Sequence, residues 1–81
     1  MPLPAGTVQV LDVSYRVGLD YDGSGSLLYY GLALPGKASS DPFWQIRKYI
    51  YTGGNLIAVL WADGNDTFDN VWDDRATLSY A

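Results

Sequence analysis

The chain has 81 residues, of which 48% are hydrophobic, a net charge of −4, and neither histidine nor cysteine. It therefore lacks the commonest general base, the commonest metal ligand and any disulfide or thiolate site. The acidic balance argues against nucleic acid as a partner, and no apolar run is long enough to span a membrane. The length indicates a single small domain, residues 1–81, of which residues 1–7 form an N-terminal arm.

The first predicted element is a β-strand over residues 11–21. Apolar side chains occupy every second position there: Leu11, Val13, Tyr15, Val17, Leu19 and Tyr21. This strict alternation predicts a strand with one buried face. Val8 and Val10 lie in the opposite phase, so we expect a bulge near Val10 and Leu11.

The stretch "DYDGSGS", residues 20–26, resembles the first half of an EF-hand calcium loop. Asp20, Asp22 and Ser24 stand at alternate positions, and Gly25 falls where the loop turns sharply. The position that requires a bidentate Glu is occupied by Gly31, which cannot bind an ion through a side chain. A hairpin turn is therefore the favoured interpretation, and a weak ion site is the alternative.

Three further apolar runs predict strands. The run at residues 27–34, "LLYYGLAL", is apolar on both faces, so its second face is either covered or meets a partner. The runs at residues 44–51 and 55–62 flank "TGGN", which predicts a second hairpin, and residues 76–81 predict a short last strand. Together they predict an all-β fold, a small antiparallel β-sandwich or barrel built of two hairpin units. The spacing near residues 68–75 permits one short helical turn.

A weak internal repeat is the next feature of the sequence. Gly36, Asp41, Trp44 and Arg47 recur in the same spacing as Gly64, Asp69, Trp72 and Arg75. The repeat predicts that each Trp fills a shared core and that each Arg pairs with an Asp or stacks on a ring. In particular, Arg47 and Arg75 are candidates for ion pairs that fix the two units. Coincidence in a chain rich in Gly and Asp is the alternative.

The sequence shows no catalytic constellation. Its serines have no histidine or suitably spaced lysine to activate them. Five acidic residues are clustered near the C-terminus: Asp63, Asp66, Asp69, Asp73 and Asp74. Clustered carboxylates can hold a metal or hydrolyse glycosides, but a domain this small can hardly form a substrate cleft. A solvated turn or an Asp helix cap is favoured, and we predict no enzyme, no cofactor, and no catalytic or metal site.

Aromatic residues make up 15% of the chain, and their side chains can pack in the core, bind a sugar or contact another protein. Adjacent residues of a strand face opposite sides, so at least one of Tyr29 and Tyr30 points away from the core. Tyr is also favoured at protein interfaces because it is rigid and amphipathic. The predicted interface residues are Tyr29, Tyr30, Tyr49, Tyr51 and Trp61.

Four stretches of the sequence, "LALPG", "WQIRKYIY", "WADGN" and "FDNVWDDRATLSY", resemble a family of small structural proteins encoded by tailed bacteriophages. The resemblance runs from Tyr21 to the C-terminus, about three quarters of the chain. It implies a virion component of the capsid, neck, tail or fibre, assembled in the host cytoplasm. It also implies a homo-oligomer or many copies that dock on other virion proteins. No catalytic or metal residues come with the resemblance.

The expected function is therefore that of a non-enzymatic structural subunit of a tailed-phage virion, which associates through aromatic β surfaces. Two alternatives remain open. A small carbohydrate- or receptor-binding module at a fibre tip would expose two Trp rings on one surface. A small inhibitor or regulator made during infection would be absent from purified particles.

Overall fold

The computed structural model describes residues 14–81, and these form an antiparallel sheet with the strand order β1-β2-β3-β4. The elements are β1, Arg16–Tyr21; β2, Leu27–Ala33; β3, Gln45–Thr52; β4, Asn55–Trp61; and a 3₁₀ helix, Trp72–Thr77. The predicted all-β class and its antiparallel hairpins are confirmed. No helix in the described part of the chain is long and apolar enough to cross a membrane.

The two predicted hairpins join side by side into one sheet, because β2 pairs with β3. Within residues 14–81 the architecture is therefore a single sheet rather than a sandwich or barrel. The second layer is supplied by the C-terminal segment, residues 72–81, which packs on one face of the sheet. The bulge expected near Val10 and the arm at residues 1–7 lie outside the described residues.

The turn between β1 and β2 is built around the carboxylate of Asp22. Its Oδ1 accepts hydrogen bonds from the backbone N–H groups of Ser24 and Ser26, at 2.9 and 3.0 Å. The Ser24 hydroxyl donates to the same oxygen at 3.0 Å, and Gly25 supplies a φ of +85°. The hydrogen bond from Ser26 N–H, followed by those from Ser24, lowers the pKa of Asp22 because these donors stabilise the ionised form.

Replacing Asp22 with asparagine is expected to make the stability of the protein less sensitive to acid. Because the folded pKa of Asp22 is lowered, its carboxylate stabilises the fold above the unfolded pKa of about 3.9. This contribution is lost as the pH falls through the folded pKa. Urea unfolding at about pH 7 and about pH 2 should show that wild type loses a part of its stability that the variant does not lose. Asp66→Asn, at an exposed position, is the control, and an equal acid response of the two variants would contradict the prediction.

The face that the C-terminal segment covers, called here the inner face, holds the hydrophobic core. Trp44 and Trp72 lie in it with their ring centroids 5.5 Å apart. Gly18 of β1 lies opposite Gly31 of β2, and neither has a side chain to fill the space under the Trp72 ring. A side chain at either position would collide with that ring, so the two glycines make room for it. The buried hydrophobic residues are Tyr29, Ala33, Trp44, Ile46, Ala62 and Trp72.

The last residues of the chain pair with the end of β4, where a short strand was predicted. Trp61 and Ala81 exchange two backbone hydrogen bonds, at 2.9 and 3.0 Å, and Ala62 forms an antiparallel bridge with Tyr80. The Tyr80 hydroxyl donates to the backbone carbonyl of Arg75 at 2.8 Å. Burial raises the pKa of this hydroxyl above its ordinary value, since the charged form is desolvated there. These contacts hold the covering segment on the sheet.

The two copies of the sequence repeat adopt different backbones. Trp44 leads into β3, whereas Trp72 opens the 3₁₀ helix, which is the short helical turn expected near residues 68–75. Val71 precedes that helix and makes no side-chain capping bond, so of the two predicted alternatives, a solvated turn or an Asp cap, the cap is not formed. Both Trp rings nevertheless fill the same core, as the repeat predicted.

Candidate interaction surface on the outer face of the sheet

The face opposite the inner face, called here the outer face, carries large side chains from all four strands. Residues directly opposite one another in neighbouring strands share a face, so the strand register identifies them. One row crosses the whole sheet and consists of Leu19, Tyr30, Arg47 and Trp61. The outer-face residues are Val17, Leu19, Tyr30, Leu32, Gln45, Arg47, Tyr49, Val59 and Trp61.

Apolar side chains of the outer face are open to solvent. Val17 is 46% exposed and Leu19 is 50% exposed. The sequence pattern over residues 11–21 predicted burial of this alternating set, and for the described part of the strand that prediction is wrong. Gly18 and Asp20 take the inner positions of β1 instead. An exposed apolar patch of this kind is typical of a surface that binds another molecule.

Arg47 lies within the outer face with its guanidinium against two aromatic rings. Its Cζ is 4.6 Å from the ring centroid of Trp61 and 5.3 Å from that of Tyr30. Its Nη2 donates to Oε1 of Gln45 at 3.0 Å, and Nε2 of Gln45 donates to the backbone carbonyl of Asp66 at 2.9 Å. Stacking and a fixed amide therefore hold the guanidinium in place on the sheet.

Arg47 forms no ion pair with the described residues. Within residues 14–81 the ion pair found joins Nε of Arg75 to Oδ2 of Asp20 at 2.9 Å. The prediction of an ion pair is therefore met by Arg75 and corrected for Arg47, which stacks on two rings, the other arrangement that the repeat predicted. The Nε of Arg47 is shielded from solvent and meets no acceptor in the described part of the chain. A buried donor without an acceptor costs about 1–3 kcal/mol, which the stacking of the guanidinium on the two rings must offset.

A cavity of about 420 Å³ extends the outer face near the loop between β2 and β3. The rings of Tyr15 and Phe68 stack there at 5.7 Å between centroids. Tyr15 lies two positions before Val17, which keeps it on the outer side of the sheet. The cavity is lined by Tyr15, Leu34, Lys37, Phe43 and Phe68. The apolar surface thus continues beyond the strands themselves.

The residues predicted as contact points are found in two kinds of environment. Tyr30, Tyr49 and Trp61 lie on the outer face. Tyr29 alternates with Tyr30, so it points inward and is only 7% exposed within the core. We therefore correct the prediction for Tyr29, which a partner cannot reach. Tyr51 donates from its hydroxyl to a backbone carbonyl of β2 at 2.7 Å, which ties the two hairpins together.

The carboxylates of the "DYDGSGS" stretch are engaged with other groups. Asp20 pairs with Arg75, which lies in the segment over the inner face. Asp22 accepts its hydrogen bonds from its own turn. No cluster of three or more potential metal ligands is found within residues 14–81. The geometry favours the hairpin turn over the calcium loop.

No protein-family model, curated protein or solved structure matches this chain. The resemblance to structural proteins of tailed bacteriophages therefore remains a prediction from the sequence.

Proposed function

We propose that this protein is a non-enzymatic structural subunit that docks on neighbouring proteins through its outer face. The exposure of Val17 and Leu19 beside the stacked Arg47 is the observation that supports this function best. A sheet is stable when both of its apolar faces are packed against another layer. The C-terminal segment provides that layer on the inner face, and we assign the outer face to a neighbouring molecule.

The proposed setting is the virion of a tailed bacteriophage, and its support is the resemblance of the four sequence stretches quoted above. The proposed partners are further copies of the chain and other virion proteins, and neither nucleic acid nor a membrane is among them. Mass spectrometry of purified particles, with copy number, tests the setting. Hundreds of copies would indicate the capsid, and a few to a few dozen would indicate the tail, neck or fibre. Absence from the particles would overturn the proposal and favour a regulator made during infection.

Replacing Leu19 with glutamate is expected to leave the protein folded but to reduce its incorporation into particles by more than about tenfold. Leu19 is half exposed in the free chain, so the charge is tolerated there and becomes costly only when a neighbour buries it. Quantitative mass spectrometry of particles assembled with each variant measures the effect. The matched control is Ala76→Glu, at an exposed position of the 3₁₀ helix away from the outer face. Equal incorporation of both variants would contradict the proposal.

Two Trp rings on one exposed surface would favour the carbohydrate-binding alternative. Trp44 and Trp72 are 1% and 9% exposed and lie together in the core. Of the three Trp residues, Trp61 alone lies on the outer face. The arrangement does not favour the carbohydrate-binding alternative, so we put forward no second function.

A further inference from the structure

We infer that the cavity beside the loop between β2 and β3 binds a small organic anion with a planar apolar body, such as an aryl carboxylate. Such a site goes beyond the proposed function, because contact with neighbouring proteins does not require it. Three features of the cavity support it: apolar walls, a cation without a carboxylate partner among the described residues, and a loop that is held in place.

The walls of the cavity are formed mostly by aromatic and aliphatic side chains. The rings of Tyr15 and Phe68 lie within 18° of parallel, with centroids 5.7 Å apart. Leu34 and Phe43 complete the apolar part of the lining, and they are 50% and 46% exposed. The volume of about 420 Å³ lies in the range of sites for small organic molecules, roughly 300–1,000 Å³. A planar apolar molecule would cover these exposed side chains and remove their area from water.

Lys37 contributes the charged side chain of the described lining. Its Nζ lies 4.6 Å from the ring centroid of Phe43. Lys37 forms no ion pair with the acidic residues within residues 14–81. Asp41, the acidic residue of the same loop, accepts a hydrogen bond from the backbone N–H of Ala38 at 2.8 Å instead. A positive charge in an apolar cavity attracts an anion and repels a cation, so the lining favours a ligand that carries a negative group.

Several hydrogen bonds hold Lys37 at the cavity. Its backbone N–H donates to the carbonyl of Leu34 at 3.3 Å, which closes a turn. Nη1 of Arg16 donates to the carbonyl of Lys37, which ties the loop to β1 and brings a second positive charge beside it. The indole N–H of Trp44 donates to the carbonyl of Ala38 at 3.0 Å. Because the site is formed before a ligand arrives, binding costs less entropy than it would in a loop that the ligand must order.

Two probes with the same pair of fused rings test this site: naphthoate, which carries a carboxylate, and naphthamide, which is neutral. Each probe is titrated into the full chain, and binding is followed by the shifts of backbone amide signals in NMR spectra. We expect naphthoate to bind with a Kd of about 1 mM or below, and naphthamide to bind at least about threefold more weakly. The largest shifts should be those of Leu34, Lys37 and Phe43.

Two variants with matched controls assign the preference to its residues. Lys37→Met removes the charge and keeps the apolar stem, so both probes should then bind within about twofold of each other. Its control is Lys48→Met, which removes the same charge from the inner face and should keep the preference for naphthoate. Phe43→Ala should weaken both probes by at least about threefold. Its control is Ile57→Ala, at an exposed position of β4, which should leave both affinities unchanged.

Added salt provides a second measurement that requires no variant. The ammonium of Lys37 is partly open to solvent, so dissolved ions screen it. Rising salt should therefore weaken the binding of naphthoate and leave that of naphthamide unchanged.

Each contrary outcome overturns a stated part of the inference. If neither probe binds, the cavity is overturned as a binding site. If the two probes bind wild type equally, or if Lys37→Met still prefers naphthoate, the anionic ligand of Lys37 is overturned. If the shifts lie along β1 and β4 and not in the loop, the cavity is again overturned. The proposed function is decided separately, by the presence or absence of the protein in purified particles.

Discussion

Replacing Trp72 with alanine is expected to lower the free energy of unfolding by about 3–5 kcal/mol, and replacing Trp44 by a similar amount. The two rings pack against each other and join the sheet to the C-terminal segment that covers it. Loss of Trp44 also leaves the carbonyl of Ala38 without the indole N–H that donates to it at 3.0 Å. Small domains are stable by only about 5–15 kcal/mol, so either change removes a large fraction of the total.

Urea unfolding followed by circular dichroism measures both losses. The control is Trp61→Ala, because Trp61 lies on the outer face, where its removal opens no cavity in the core. We expect it to cost less than either core variant. A loss below about 1 kcal/mol for Trp44→Ala or Trp72→Ala would show that the ring in question is not a core residue.

The strands and turns of this fold could be predicted from the sequence because their causes are local. "DYDGSGS" and "TGGN" specify tight turns through residues that accept positive φ, and Gly25, Gly53 and Gly54 all adopt it. Apolar runs on either side of each turn then predict paired strands. The all-β class follows from these signals without any knowledge of long-range contacts.

The buried face of the sheet could not be predicted in the same way. Alternation along β1 separates Val17 and Leu19 from Gly18 and Asp20, but it does not say which side meets the core. The position of Trp72 determines which side is buried, because its ring packs against Gly18, where a side chain would collide with it. Trp72 is far from Gly18 along the chain, so local sequence does not reveal this contact. The apolar side of the strand is thereby turned outward.

The candidate site was predicted in part. Tyr30, Tyr49 and Trp61 were expected at an interface, because aromatic runs with two apolar sides must place some rings outside the core. Arg47 was expected either in an ion pair or stacked on a ring. The choice between them could not be made, because sequence spacing does not reveal which side chains a register places together. The pairing of β2, β3 and β4 puts it between Tyr30 and Trp61, and this is a property of the whole sheet.

Replacing Gly31 with alanine is expected to destabilise the fold by about 1–3 kcal/mol or more, although alanine suits a strand better than glycine does by roughly 0.5–1 kcal/mol. The added Cβ would lie 2.5 Å from Cε3 of Trp72 and 3.1 Å from Cε3 of Trp44. Trp72 cannot move aside easily, because Arg75 stacks on it at 4.6 Å and Trp44 packs against it. The packing cost therefore exceeds the gain in backbone propensity.

The control for this change is Gly23→Ala, in the turn between the same two strands, where an added Cβ meets no atom within 4 Å. Urea unfolding should find Gly23→Ala close to wild type and Gly31→Ala clearly weaker. The collision with Trp72 is isolated by making Gly31→Ala in the Trp72→Ala background, where the same methyl group enters the space that the ring has left. We expect the penalty to disappear there. A penalty that persisted would mean that Gly31 is required by Trp44 and not by Trp72.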